Sequence, residues 1–292
     1  MSRSVTVGVD GSPESVAAAR WAAQEARLRG VPLRLVFVDE WNGTATVPGV
    51  DPEVGRRWAE ELLGEVAEAV RRGHPALEVE TRRLSGRPAT ALVGEAAEAA
   101  GLLVLGSRGL GSVRGFLLGS VGMAAISTTE RAVVLVRAPE APPTDQNVPE
   151  PASRSVVVGV DLDQFFAPLL DFAFQEAAYR GDRLLALHAW STPPVVRDAS
   201  ALVAAEREIA PDVARRLTQG LTPWRERFPS VELVERPCVG GPARLLLQAA
   251  AGADLVVVGR RVRKGVLAMH IGSVTHAVVH HCAVPVAVVA HE

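Results

Sequence analysis

The sequence predicts an α/β protein of two tandem Rossmann-like domains, each an open five-stranded parallel sheet with helices on both faces. Three observations predict it. Short apolar runs alternate with amphipathic stretches of helical length, the pattern of a parallel sheet covered on both sides. The chain repeats itself at nearly half its length of 292 residues. In the first copy, Gly106-Ser-Arg-Gly109 and then Gly119-Ser120 follow an apolar strand and lead into a helix. Loops of that kind hold phosphates, because glycines turn through positive φ and approach a ligand closely, while a helix N-terminus attracts anionic oxygens.

The repeat sets the boundaries. Val5-Thr-Val-Gly-Val-Asp10 matches Val156-Val-Val-Gly-Val-Asp161 at an offset of 151 residues, which also carries Gln24-Glu25-Ala26 onto Gln175-Glu176-Ala177. Later, Pro88-Ala89 answers Pro242-Ala243, Leu103-Val-Leu-Gly106 answers Val256-Val-Val-Gly259, and Gly119-Ser-Val121 answers Gly272-Ser-Val274. Between the copies lies APEAPPTDQNVPEPAS, whose prolines and lack of apolar periodicity suit an extended linker. The expected organisation is a first domain over 1–138, a linker over 139–153 and a second domain over 154–292.

In the first domain, strands are expected near 4–9, 33–38, 77–82, 102–106 and 132–137, with helices between them. Ser12 reads as an N-cap with Pro13 at the first helical position, and the helix to Arg29 stops at Gly30 before Pro32. The second domain runs in the same order, with strands near 155–160, 183–189, 231–236, 255–259 and 285–289. Such sheets bind ligands beyond the carboxyl ends of their strands, near the switch in strand order. Asp10, Val38 and Gly106 fall at such ends.

Composition narrows the function classes. A hydrophobic content of 48% builds a core in each copy, and a net charge of −2 with interspersed signs gives no field that draws nucleic acid or an acidic membrane surface. The start leads straight into a strand, and no apolar run reaches the roughly 18 to 20 residues needed to cross a bilayer, so a cytoplasmic protein is expected. Cys238 and Cys282 are too few for a disulfide framework and read as small buried residues. Lys264 is the only lysine, so a Walker loop is absent. Gly109-Leu-Gly111-Ser-Val-Arg-Gly115 echoes a dinucleotide fingerprint but follows the fourth strand and lacks the acidic partner. The first domain has a single histidine, His74, and no arrangement for nucleophilic hydrolysis can be assembled.

With Val-Gly-Val-Asp10-Gly-Ser at its first strand, Leu35-Val-Phe-Val38 at its second, the full Gly-x2-Gly-x9-Gly-Ser pattern and the duplication, the chain resembles a tandem universal stress protein. That is a cytoplasmic family of ATP-binding domains of the adenine nucleotide alpha hydrolase-like fold. The resemblance implies that Asp10 lies by the ribose or adenine, that Val38 lies beside the adenine, and that Gly106, Ser107, Arg108, Gly109, Gly119, Ser120 and Val121 frame the ribose and phosphates. The implied cofactor is ATP, with Mg2+ as its companion ion. The implied activity is nucleotide-responsive regulation without required catalysis; a nucleotide-independent dimerisation scaffold with the same fold is the alternative. Asp10 also reads as a cap at the turn into the first helix, Val38 as an ordinary core valine, and Arg108 and Arg114 as solvated loop residues.

The second domain departs from the pattern. Val262 stands where the first copy has Gly109, and Leu162 and Asp163 replace Gly11 and Ser12. Asp161, Ala189, Gly259, Arg260, Gly272, Ser273 and Val274 mark a weaker second site, and Asp163 reads as the cap of the following helix. The second copy ends His280-His281-Cys282-Ala283-Val284-Pro285-Val286, as the family does, whereas the first has Ser127-Thr-Thr-Glu-Arg-Ala-Val133. In the family the last strand commonly pairs domains, which implies intramolecular domain pairing and a homo-oligomer. His276 and His280 share one helix face, but without further ligands in register they read as helix-end histidines rather than a metal site.

Overall fold

The computed structural model describes residues 3–40, 52–107, 119–138, 154–191, 199–262 and 271–292. The chain divides into two compact units, each taken by itself. In the first, the elements run β1 (Ser4–Gly8), α1 (Pro13–Arg29), β2 (Leu33–Asp39), α2 (Pro52–Gly73), β3 (Val79–Ser85), α3 (Pro88–Ala99), β4 (Ala100–Ser107), α4 (Ser120–Thr128) and β5 (Ala132–Arg137). All neighbouring strands are parallel, in the order β3-β2-β1-β4-β5. The order therefore switches between β1 and β4.

Helices α1 and α2 pack together over one face of this sheet, and α3 and α4 together over the other. Covering both faces explains why β1, β4 and β5 read as unbroken apolar runs: Val5, Val7, Leu102, Leu103, Val104, Val133 and Val134 are all buried. In α2, Ala59, Leu63, Val66, Ala67 and Val70 form the buried stripe, at the three- and four-residue spacing of a helix face.

The second unit repeats the plan with β6 (Ser155–Gly159), α5 (Ala167–Arg180), β7 (Arg183–Trp190), α6 (Ala199–Arg227), β8 (Leu233–Val239), α7 (Pro242–Ala249), β9 (Leu255–Arg261), α8 (Ser273–His281) and β10 (Val286–His291). Its strands are parallel in the order β8-β7-β6-β9-β10. The expected α/β class and five-stranded parallel plan are thus present in each unit. No helix among the described residues is long and apolar enough to cross a membrane.

Some expected boundaries move. The third strand of each copy, expected over 77–82 and 231–236, forms at Val79–Ser85 and Leu233–Val239. Leu77 and Val231 instead close the turn after the preceding helix, their N–H groups donating to His74 O and Phe228 O. These strands lie at the sheet edge and are only half buried, so their charged residues carry no strong apolar signal. Cys282 is buried as expected, whereas Cys238, on the edge strand β8, is partly exposed.

Candidate functional site

In the first unit a notch forms because β1 stops early. Gly8 pairs with Val36, yet β2 continues through Phe37, Val38 and Asp39, paired with β3 alone. On the other side β4 runs on from Val104 through Leu105, Gly106 and Ser107, paired with β5. Above the stopped strand the chain turns into α1, leaving a cavity of about 580 Å3 at the switch in strand order.

The loop from β1 to α1 is fixed by its own polar side chains. Ser12 N–H (3.0 Å) and Ser12 Oγ (2.6 Å) both donate to Asp10 Oδ1, while Ser12 Oγ accepts from Ser15 N–H at 3.2 Å as the N-cap of α1. Asp10 thus shapes the turn, and it also lines the cavity. The two sequence readings of this residue are compatible.

Among the residues singled out from the sequence, Asp10, Val38, Gly106, Ser120 and Val121 come together on the cavity wall. Ser107 does not: it is 2% exposed and lies beneath, at the end of β4. Gly119 is the N-cap of α4 with φ −62°, and among the described residues nothing stands within 4 Å of where its Cβ would lie. Arg108, Gly109 and Arg114 lie outside the described residues.

Neither Gly106 nor Gly119 is left-handed, so of the two properties that suit glycine to such a loop, positive φ is used at neither. Gly106 is required for a different reason: a Cβ there would lie 2.7 Å from the carbonyl carbon of Glu14 and 2.8 Å from the nitrogen of Ser15. The glycine lets the first turn of α1 press onto β4, which places that turn beside the notch.

Sequence reasoning missed several wall residues. Phe37, Trp58, Pro88 and Leu92 are apolar or aromatic, and Glu14, Asp39 and Glu40 are acidic like Asp10. Phe37 and Leu92 carried only the signal of ordinary core residues. Trp58 sits on α2, where the two copies do not align without gaps, so the repeat gave no help.

The corresponding notch of the second unit is built differently. The β9–β10 ladder runs through Arg260↔Ala290 to one further pair, Arg261↔His291, so a histidine ends β10 at the notch. His291 stacks on Phe166 with ring centroids 3.5 Å apart, and its Nε2 lies 2.7 Å from where a Cβ on Gly259 would stand. The Arg261 guanidinium lies over the same Phe166 ring at 5.8 Å and donates to Gln164. Phe165 occupies the space beside Gly220 on α6, where a Cβ would clash with its ring. The Phe166–His291 stack therefore occupies the space beside Gly259, where the first unit has the first turn of α1 against Gly106.

The extra room for these aromatics comes from a later helix start. Pro13 opens α1, but Pro168 sits in the first turn of α5, so the helix begins at Ala167 and Asp163 to Phe166 remain loop. Asp163 is consequently not the expected cap: Phe166 holds that position without a side-chain bond. Asp163 N–H instead donates to Asp161 Oδ1 at 3.0 Å, and its carboxylate pairs with Arg216 at 3.2 Å. Val262 follows directly on β9, its N–H donating to His291 O at 2.6 Å. Arg260 is buried and Ala189 lies near the end of β7, while Gly272, Ser273 and Val274 begin α8. Thr275 Oγ1 ties that helix to Gly259 O at 2.7 Å. The His276 and His280 rings lie 4.3 Å apart on α8, as their spacing required.

Comparison with known proteins agrees with this architecture. The sequence profile of the Universal stress protein family matches residues 1–137 and again 152–290. A universal stress protein of Mycobacterium tuberculosis is 36% identical over 295 residues, covering 97% of this chain and 96% of that one. The crystal structure of a universal stress protein from Archaeoglobus fulgidus superposes with a TM-score of 0.70 over the whole of both chains, at 20% identity. A shorter universal stress protein from Archaeoglobus fulgidus, solved in complex with dAMP, is 26% identical and covers 46% of this chain and 97% of its own, with a TM-score of 0.37. A domain matched twice, by relatives of the same full length, means that this chain belongs to the universal stress protein family as a tandem member.

Proposed function

We propose that this chain is a nucleotide-responsive regulatory protein that holds an adenine nucleotide, ATP as its magnesium complex, in the notch of the first unit. The observation that carries the reading is the convergence of Asp10, Val38, Gly106, Ser120 and Val121 on one cavity of about 580 Å3, a volume suited to a small molecule. Val36, Val38 and Leu92 offer apolar surface to a base. The Asp10 carboxylate accepts hydrogen bonds from sugar hydroxyls. Ser120, Val121 and Gly122 begin α4, whose first N–H groups have no intrahelical acceptor, and the glycine N-cap brings no side chain to occupy them.

Four acidic residues, Asp10, Glu14, Asp39 and Glu40, are among those that line the same cavity. They repel a bare polyanion, which favours a nucleotide already neutralised by magnesium. The Phe166–His291 stack supports assigning nucleotide to the first unit rather than the second. Ligand held only by the folded unit adds roughly 2.7 kcal/mol at about 100 times its dissociation constant, enough to bias a surface presented to a protein partner or another copy of the chain in the cytoplasm.

Gly119 provides the test, since its φ suits any residue, no described residue lies where its side chain would go, and that side chain would stand before the α4 donors. Mg-ATP is expected to raise the melting temperature of the wild-type protein. Gly119→Leu is expected to melt as the wild type does without ligand and to lose most of the ATP-dependent rise. A wild-type melting curve unchanged by Mg-ATP would overturn the proposal in favour of a nucleotide-independent scaffold.

A further inference from the structure

Trp58 is a large aromatic side chain on α2 that the core does not use. The buried stripe of that helix starts one residue later, at Ala59, and Trp58 itself is 50% exposed. Its indole meets Phe37 nearly perpendicularly, with ring centroids 5.5 Å apart at 75°, and its Cζ2 lies 3.6 Å from where a Cβ on Gly11 would stand. These contacts hold the ring at the mouth of the notch, on a wall shared with Val36, Val38 and Leu92. A half-open indole on a cavity wall leaves apolar area in water that a flat, apolar ligand face would cover.

We propose that Trp58 is a base-binding residue of the first unit, stacking on the base of the bound nucleotide. The inference rests on the reading of this cavity as a nucleotide site and adds to it which residue holds the base. Every aromatic base has a π-face, so the contact supplies affinity for the base and none for the phosphates. The edge contact with Phe37 restricts the indole, so less side-chain freedom is lost when a base lies on it.

The test compares wild type, Trp58→Ala and Trp58→Phe by calorimetric titration with Mg-ATP and with magnesium tripolyphosphate, which has the phosphates but no base. Trp58→Ala is expected to weaken Mg-ATP binding roughly 5- to 100-fold, the range alanine replacement gives at stacked bases, and to leave tripolyphosphate binding unchanged. Trp58→Phe keeps a π-face and is expected to stay within roughly threefold of wild type. Mg-ATP is also expected to quench tryptophan emission in the wild type and not in Trp58→Phe. Wild-type ATP affinity in Trp58→Ala would overturn the inference while leaving the nucleotide site standing. Equal weakening toward both ligands would make Trp58 merely structural, which also overturns it. A wild-type protein that binds no Mg-ATP removes both.

Discussion

His291 carries the main chemical difference between the two notches. It is 8% exposed, stacked on Phe166 and set against Gly259. Burial holds its pKa below the ordinary 6.5; the nearby Arg261 and Arg260 push it the same way, while the Glu292 carbonyl and Asp161 act in opposition. Between its folded and unfolded pKa values such a histidine is neutral in the native state while the unfolded chain is already protonated. Stability is then present above 6.5 and is lost as the pH falls toward the folded value. Denaturant titrations at about pH 7.5 and about pH 5.5 are expected to show a loss on acidification that shrinks in His291→Gln. An equal loss in both proteins would contradict this role.

Much of the residue-scale picture was legible in the sequence, though not always its reason. Gly106 was recognisable as special from its motif, but the pressure on it comes from the backbone of Glu14 and Ser15. Phe165 and Phe166 stand where the ungapped repeat has Glu14 and Ser15, and that substitution of two aromatics for two polar residues was the available signal for a filled crevice. No motif contains it, because a plug needs only bulk at the right place.

At the scale of elements, the repeat is most faithful where a helix ends. Gly30 and Gly181 terminate α1 and α5 in the left-handed region, at φ 64° and 67°, after the equivalent part-buried ion pairs Glu25–Arg29 and Glu176–Arg180. An L side chain in that conformation is strained, so Gly30→Ala and Gly181→Ala are each expected to destabilise the fold by about 1 kcal/mol in denaturant unfolding. No change at either position would contradict the αL assignment. Helix starts were legible from Pro13 but misjudged at Asp163, because Pro168 sets the start of α5 three residues beyond the position that answers Pro13. Edge strands β3 and β8 were displaced by two or three residues for lack of a continuous apolar run.

For the whole molecule, duplication has produced two copies of one fold that diverge at the same place. In the first, β1 stops between longer neighbours and the notch stays open; in the second, one more strand pair and a longer loop deliver His291 and Phe166 into it. The family and the five-stranded plan followed from repeated motifs, since strand ends and glycines are written locally. The asymmetry of the sites is carried by side chains distant in sequence, Phe166 and His291, which only folding brings into contact.

That asymmetry is the central claim, and ligand counting tests it most directly. Protein saturated with Mg-ATP, freed of excess ligand and then denatured should release about one adenine nucleotide per chain, measured by chromatography against protein concentration. Release of about two per chain would show that the Phe166–His291 stack yields to ligand, and release of none would show that the open notch does not hold one.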